Sequence, residues 1–187
     1  MIIGIFHSGS GTGNQLFRYV TARTLALDKG HEFAMAYPEN FKGRDFMHLH
    51  MGKLNDTTGF YHFEEKKVLE NGVDIRGYDP EINFVEDNTV IDGEFQDERY
   101  WKHRMVEIDK WLKVEPLKFI ENMCVVNFRG GEYTLFNDLF LTKDYWDEAI
   151  RVMKIINPAM EFVVHTDDVH TAAKFFPDFA ILQDVGV

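Results

Sequence analysis

The chain has 187 residues, of which 45% are hydrophobic and 14% aromatic, so it is long enough to bury a core and we expect a globular protein. Its 31 acidic residues outnumber 20 Lys and Arg, and the net charge of −11 argues against nucleic acid or an anionic membrane surface as a partner. The single cysteine, Cys124, excludes an internal disulfide, and we expect a reducing, cytoplasmic location.

The first 37 residues predict a βαβ unit. Ile2–Phe6 is a short apolar run typical of a buried strand, and from Asn14 apolar residues recur at helical spacing. Gly30 stands where a glycine commonly ends a helix, and Glu32–Tyr37 predicts a second strand, parallel to the first. Because the uncharged N-terminus is solidly apolar only as far as Phe6, before His7, it predicts neither a signal peptide nor a membrane span.

The rest of the chain predicts a less regular middle and then a second α/β series. Between about residues 38 and 87, turn-forming residues interrupt the pattern, and we expect short helices and irregular connections. Val90–Phe95 then predicts a strand and Glu98–Val114 a helix, and Pro116 marks a domain boundary. In the second series we expect three strands and two helices, the strands at Met123–Phe128, Glu161–His165 and Phe179–Leu182 and the helices at about Asp144–Ile156, with Asp144 as N-cap, and Val169–Phe176. The sequence thus predicts an α/β protein with two domains, residues 1–115 and 116–187.

A glycine-rich loop, "SGSGTGNQLFRY" at Ser8–Tyr19, joins the first predicted strand to its helix. Glycines at that place allow backbone amides to approach a phosphate at the positive end of a helix. The loop is not a Walker A motif, since no Lys-Ser/Thr pair follows Gly13. Contact with a ligand and a plain tight turn both stay open for Gly11 and Gly13.

Two segments of the second series carry further candidate residues. Arg129 follows the strand in "VVNFRGGEYTLF", where ligands lie in parallel sheets, and its planar fork suits a diphosphate. An ion pair between Arg129 and a carboxylate on the protein surface is an equally good interpretation. In "HTDDVH" at His165–His170, the acidic and imidazole groups are possible metal ligands but match no well-defined metal motif, and Asp168, just before Val169, is equally placed to cap a helix.

Taken in order, these segments resemble the soluble α-1,2-fucosyltransferases of bacteria and their viral relatives, within the wider group of GDP-fucose-using transferases. "GTGNQLFRYVTARTLA" (Gly11–Ala26) resembles the family pattern GGxGNQxFQYxxxRxLA, and "GEFQDERYW" (Gly93–Trp101) resembles its GYFQSxKYF-like junction. "NFRGGEY" (Asn127–Tyr133) is similar to the signature HxRRGDY. Next, "DYWDEAI" (Asp144–Ile150) resembles the YYxxA helix, and "HTDD" (His165–Asp168) resembles FSDD.

The resemblance implies a GT-B-like arrangement, with two Rossmann-like domains facing a cleft, the acceptor on the N-terminal side and the nucleotide-sugar mainly on the C-terminal side. It implies an inverting glycosyltransferase that moves fucose or a similar sugar from a GDP-sugar to a carbohydrate hydroxyl without a metal or other cofactor. We expect Arg129 to stabilise the leaving diphosphate and Glu132, the nearest carboxylate, to act as the base. The expected donor-binding residues are Gly11, Gly13, Asn14, Gln15, Asn127, Asp167 and Asp168, with Asn14 and Gln15 facing the sugar nucleotide or bracing the strand before Arg129.

The chain also departs from the family pattern. The second arginine of the signature falls on Gly130, its His on Asn127 and its Asp on Glu132. The family continues beyond the FSDD region with a segment resembling SSFSWWGA, whereas this chain ends at Val187, so we expect an incomplete second domain. Two alternatives stay open: a catalytically inactive glycan- or nucleotide-binding relative of the same fold, and an enzyme of related fold that uses another nucleotide-sugar.

Overall fold

The structure, a computed structural model, describes residues 1–54, 58–70, 73–75, 77–114, 120–136, 138 and 140–183. These residues form strands and α-helices with the bounds β1 Ile2–Ile5, α1 Thr12–Lys29, β2 Phe33–Ala36, β3 Tyr61–Glu64, β4 Val68–Glu70, β5 Val73–Ile75, β6 Thr89–Asp92, α2 Met105–Trp111, β7 Met123–Phe128, α3 Lys143–Ile156, β8 Glu161–Thr166, α4 Val169–Phe175 and β9 Ala180–Gln183. The chain divides into two compact units, Met1–Pro116 and Leu117–Val187, within one residue of the predicted boundary. Pro116 itself lies outside the described residues.

The first unit is built on a parallel sheet with the strand order β2-β1-β6-β3. The predicted βαβ unit is confirmed: β1 and β2 are parallel, and α1 connects them. The helix begins at Thr12, two residues before the predicted start, and Gly30 ends it in the left-handed conformation (φ 66°) that glycine adopts at little cost. Ile2 and Ile3 of β1 are fully buried, so the centre of this sheet is part of the core.

The middle of the first unit contains the predicted short helices, as 3₁₀ turns at Pro38–Asn40 and Pro80–Phe84, but it also contains three strands that were not predicted. β3 was not expected as a strand, yet it pairs in parallel with β6 at the edge of the sheet. Of the two aromatic residues that alternate along β3, Phe63 packs against the core but Tyr61 is 66% exposed, so this four-residue edge strand buries too little to stand out from the turn-rich segment around it. β4 and β5 form a separate antiparallel pair.

The helix predicted over Glu98–Val114 is wrong, because the chain breaks it into short pieces. Two 3₁₀ turns, Glu98–Tyr100 and Lys102–Arg104, precede α2, and Trp101 between them has non-helical angles (φ −142°, ψ −12°). The Trp101 ring stacks on Phe17 of α1 at a centroid distance of 6.0 Å. Packing of this large side chain against α1 therefore accompanies the loss of helical continuity.

The second unit has a smaller parallel sheet with the strand order β7-β8-β9. Its core surrounds Phe128, which is 1% exposed and lies within 5.9 Å of four other aromatic rings, those of Phe140, Trp146, Phe175 and Phe176. The three strands and two helices occur where the sequence predicts them. The predicted N-cap at Asp144 is wrong, since Thr142 holds the cap position and Asp144 lies in the first turn. The fold is therefore α/β with two small parallel sheets.

Candidate functional site

The carboxyl ends of β7 and β8 lie side by side in the second unit. The two strands run in parallel, and their last residues, Phe128 and Thr166, are paired in register. Arg129 and Asp167 follow these residues and therefore meet at the same edge of the sheet. In open parallel sheets this edge is where ligands bind.

Arg129 is held loosely at this edge. Its Nε lies 3.2 Å from Oδ2 of Asp167, and its guanidinium lies 5.0 Å from the centre of the Tyr133 ring. The Arg129 side chain is nevertheless 56% exposed, and among the described residues neither of its terminal nitrogens donates a hydrogen bond. An ion pair this exposed contributes little to stability, so the guanidinium is available to a stronger anionic partner.

Two glycines let the loop after Arg129 pack closely against two aspartates. The Gly130 amide donates a hydrogen bond of 2.8 Å to Oδ1 of Asp167. A Cβ at Gly130 would lie 2.6 Å from the Cβ of Asp168, a distance that Cβ contacts do not show. Gly131 has a φ of +33°, and a Cβ there would lie 3.1 Å from Oδ2 of Asp167. The loop therefore has no space for a side chain at position 130, where the resemblance to the fucosyltransferase signature would place a second arginine.

Asp168 is the N-cap of α4. Its Oδ1 accepts a hydrogen bond from the Thr171 amide at 3.0 Å, and its Oδ2 accepts one from the Thr171 hydroxyl at 2.6 Å. These hydrogen bonds lower the pKa of the Asp168 carboxyl, because they stabilise its charged form. The capping interpretation is confirmed, and a role for Asp168 in donor binding stays a prediction.

The other predicted residues of the second unit are exposed. Asn127 lies near the end of β7, and Glu132 lies in a 3₁₀ turn, Gly131–Leu135. Neither side chain hydrogen-bonds to, or forms an ion pair with, any other part of the chain that the structure describes. Both are thus accessible, and their roles stay predictions.

The glycines of the opening loop differ in what the structure requires of them. Gly9 has a φ of +83°, which favours glycine. Gly11 is the N-cap of α1 and Gly13 lies in its first turn, and a Cβ at either position would have nothing within 4 Å. Close packing therefore does not require glycine at positions 11 and 13. This agrees with both interpretations of the loop, contact with a ligand and a plain tight turn.

The two amide side chains after this loop bind other parts of the first unit. Oδ1 of Asn14 accepts a hydrogen bond of 3.1 Å from Gln96, which belongs to the second family-like segment. Gln15 is fully buried: its Nε2 donates to the Asn40 carbonyl at 2.7 Å, and its Oε1 accepts from the Lys42 amide at 3.0 Å. Gln15 thus braces the loop after β2, and donor binding by this residue stays a prediction.

A concave site in the first unit was missed by sequence reasoning. We call it the His7 pocket; it has a volume of about 240 Å³ and is lined by His7, Arg18, Glu64, Glu65, Lys67, Asp92, Gly93 and Glu94. Its strongest signal in the sequence is Arg18, a cation one helical turn after Asn14, on the face of α1 that continues from the glycine loop. Arg18 is 5% exposed, and a charged residue this buried needs nearby carboxylates.

Comparisons with known proteins assign neither a family nor a function to these sites. Within the described ranges, no group of three or more His, Cys, Asp or Glu is arranged to hold a metal ion, and no helix is long and apolar enough to cross a membrane. No protein-family model matches the sequence, and no curated protein matches it significantly.

Proposed function

We propose that the chain is a GT-B glycosyltransferase that transfers fucose or a similar sugar, with inversion, from a GDP-sugar to a carbohydrate hydroxyl, without a metal cofactor. The observation that carries the proposal is the position of Arg129, which follows β7 at the carboxyl edge of a parallel sheet with more than half of its side chain exposed. The order of the five family-like segments along the chain supports the same assignment.

In this proposal, Arg129 stabilises the leaving diphosphate. The acceptor oxygen bonds to the anomeric carbon on the face opposite the diphosphate, the bond from that carbon to the phosphate oxygen breaks, and the electron pair leaves with the diphosphate. The guanidinium places its positive charge where negative charge develops. Asp167 holds Nε from one side, so both terminal nitrogens can donate to phosphate oxygens.

The proton of the acceptor hydroxyl passes to a base, and we assign this role to Glu132. Its carboxylate is exposed and follows Arg129 by three residues, on the short turn that leaves the sheet edge. A base must lie within hydrogen-bonding reach of the hydroxyl in the bound complex. Replacement by glutamine keeps the shape but removes the basic oxygen, so Glu132→Gln should lose turnover and keep GDP binding.

The test is a calorimetric titration with GDP, GDP-fucose and a UDP-sugar, with and without EDTA. We expect the guanine compounds alone to bind, whether or not EDTA is present. Arg129→Ala should weaken GDP binding about 100-fold, because two charge-assisted hydrogen bonds are lost. The matched control is Arg151→Ala, which removes an exposed arginine paired with Glu148 on α3.

The outcomes separate the candidate functions. Unchanged GDP affinity in Arg129→Ala would refute the role of this residue. GDP binding without transfer of fucose to any of a panel of glycans would favour the second candidate, an inactive nucleotide-binding relative. The observation that supports this second candidate is Gly130, where close packing against Asp168 excludes the second signature arginine.

A further inference from the structure

The His7 pocket lies at the carboxyl edge of the first sheet. His7 comes two residues after β1, Asp92 ends β6 and Glu64 ends β3, so three parallel strands deliver side chains to one place. From β1 the chain passes through α1 to β2 on one side, while β6 lies on the other side of β1. The space beyond β1 and β6 is therefore a topological switch point, where ligands bind in open α/β sheets.

His7 and Asp92 form a hydrogen-bonded pair in this pocket. Nε2 of His7 lies 2.8 Å from Oδ1 of Asp92. Because a carboxylate only accepts hydrogen bonds, Nε2 carries the hydrogen of the neutral ring and Nδ1 is an acceptor. In the described part of the chain Nδ1 has no hydrogen-bond partner, and the His7 side chain is 42% exposed. The pair thus presents an oriented acceptor to any molecule in the pocket.

Arg18 holds the carboxylates of Asp92 and Glu94 from the buried side of the pocket. Its side chain is 6% exposed, its Nη2 donates to Oε1 of Glu94 at 2.7 Å, and its Nη1 lies 3.5 Å from Oδ1 of Asp92. Its Nε is buried without a hydrogen-bond partner among the residues that the structure describes. Burying a guanidinium costs free energy, because the charge loses its hydration, and nearby carboxylates offset only part of that cost. The buried cluster therefore lowers the stability of the fold while it fixes the charges at the pocket wall.

The turn that carries Glu94 is also held rigidly. Glu65 is 2% exposed, and its Oε2 accepts hydrogen bonds from the amides of Glu94 at 2.7 Å and Phe95 at 3.1 Å. A Cβ at Gly93 would lie 2.5 Å from the Cβ of Glu65, so only glycine allows this approach. Phe95 adopts a left-handed φ of +50°, which costs a non-glycine residue energy and is often found at functional sites. The pocket wall is therefore preorganised.

The charges of the pocket select its ligand. The four carboxylates that line it exceed its two cations, Arg18 and Lys67, so an anion such as a phosphate is repelled. An amine gains little from this excess, because Arg18 already pairs with Glu94 and Asp92, and Glu65 accepts hydrogen bonds from two backbone amides. A neutral molecule with several hydroxyls suits this mixture, because each hydroxyl donates to a carboxylate and accepts from a cation or amide. The volume of about 240 Å³ is below the range of about 300–1,000 Å³ typical of larger ligands, and suits a single sugar residue.

We propose that the His7 pocket binds one neutral sugar residue, whose hydroxyls donate hydrogen bonds to Nδ1 of His7 and to the carboxylates of Asp92 and Glu94. Sugar binding follows from the pocket itself. The identification of this sugar as the acceptor rests on the proposed function.

The test uses NMR spectroscopy of the full chain labelled at histidine. The protein has eight histidines, and the spectrum of His7→Gln identifies the His7 signal. We expect D-galactose and lactose to shift that signal saturably, while inorganic phosphate and spermidine leave it in place. By calorimetry His7→Gln should bind lactose about tenfold more weakly than the wild type, as expected for the loss of one hydrogen bond at an oriented group. His48→Gln, at an exposed histidine outside the pocket, is the matched control and should bind lactose normally.

Each outcome decides the proposal. A His7 signal that no sugar moves, or that moves with phosphate or spermidine alone, would overturn it, provided that the spectrum shows folded protein. Equal lactose affinities for His7→Gln and wild type would also overturn it. GDP titrations of the same sample keep the two proposals apart: GDP binding without sugar binding leaves the proposed function standing, and sugar binding without GDP binding leaves this pocket standing.

Discussion

Replacement of Gly130 by alanine tests how closely the loop after β7 packs against the start of α4. The added Cβ would lie 2.6 Å from the Cβ of Asp168, so one of the two must move. Movement weakens the 2.8 Å hydrogen bond from the Gly130 amide to Asp167 and the cap that Asp168 provides to α4. A cap is worth about 1 kcal/mol and a hydrogen bond to a charged group about 1.5–3 kcal/mol, so we expect a loss of about 1–3 kcal/mol.

Hydrogen exchange of the α4 amides measures this loss where it arises. We expect the Thr171 amide, which donates to Asp168, to exchange about 5- to 150-fold faster in Gly130→Ala than in the wild type. Gly13→Ala is the matched control, since its Cβ meets nothing within 4 Å and alanine favours the helix by up to about 1 kcal/mol. Wild-type exchange of α4 in Gly130→Ala would refute the reasoning, because the loop would then accommodate a Cβ at position 130.

Two further predictions concern stability. At neutral pH, Asp168→Ala should cost about 1 kcal/mol of unfolding free energy in urea, the worth of an N-cap. Because the pKa of Asp168 is lowered in the folded state, this contribution is complete above the unfolded pKa of about 3.9 and fades as the pH falls through the folded pKa. A difference between the two proteins that stays constant from pH 7 to pH 2 would contradict this. Gln15→Leu leaves a partly buried carbonyl and amide of the loop after β2 without their partner and should cost about 2–4 kcal/mol, whereas Gln96→Ala, at an exposed amide, should change the stability by less than about 0.5 kcal/mol. Similar losses for the two variants would show that burial of Gln15 is not what matters.

The second unit could be predicted well because its signals are local. The strand Met123–Phe128 was predicted with the bounds that the structure has, and the cap at Asp168 is set by a single residue before an apolar stretch. The rule that ligands lie beyond parallel strands also placed Arg129 at the carboxyl edge of the sheet, and the structure adds Asp167 beside it. By contrast, β3 and the break at Trp101 depend on packing against distant elements, and local periodicity does not record such contacts.

Sequence reasoning also could not find the His7 pocket or explain Gly130. Arg18 meets Asp92 and Glu94 across 74 and 76 residues, so the cluster exists only once α1 packs on the sheet. The glycine at position 130 looked like a lost arginine, and only the three-dimensional distance to Asp168 shows that a side chain does not fit. In both cases the missing information is a long-range contact rather than a residue type.

The Arg129 site at the edge of the second sheet and the His7 pocket at the edge of the first sheet differ in which of their charged groups are already paired. This difference determines which ligand each site favours. Asp167 and Asp168 are occupied by hydrogen bonds from Gly130 and Thr171, whereas the terminal nitrogens of Arg129 donate to no described residue. A diphosphate therefore meets an available cation there, and replacing an exposed ion pair costs little. In the His7 pocket Arg18 is buried behind carboxylates, and the four carboxylates exceed the two cations, so a phosphate is repelled. Under the proposed function, this division of charge predicts that GDP binds once per chain, that Arg129→Ala weakens that binding, and that His7→Gln leaves it unchanged.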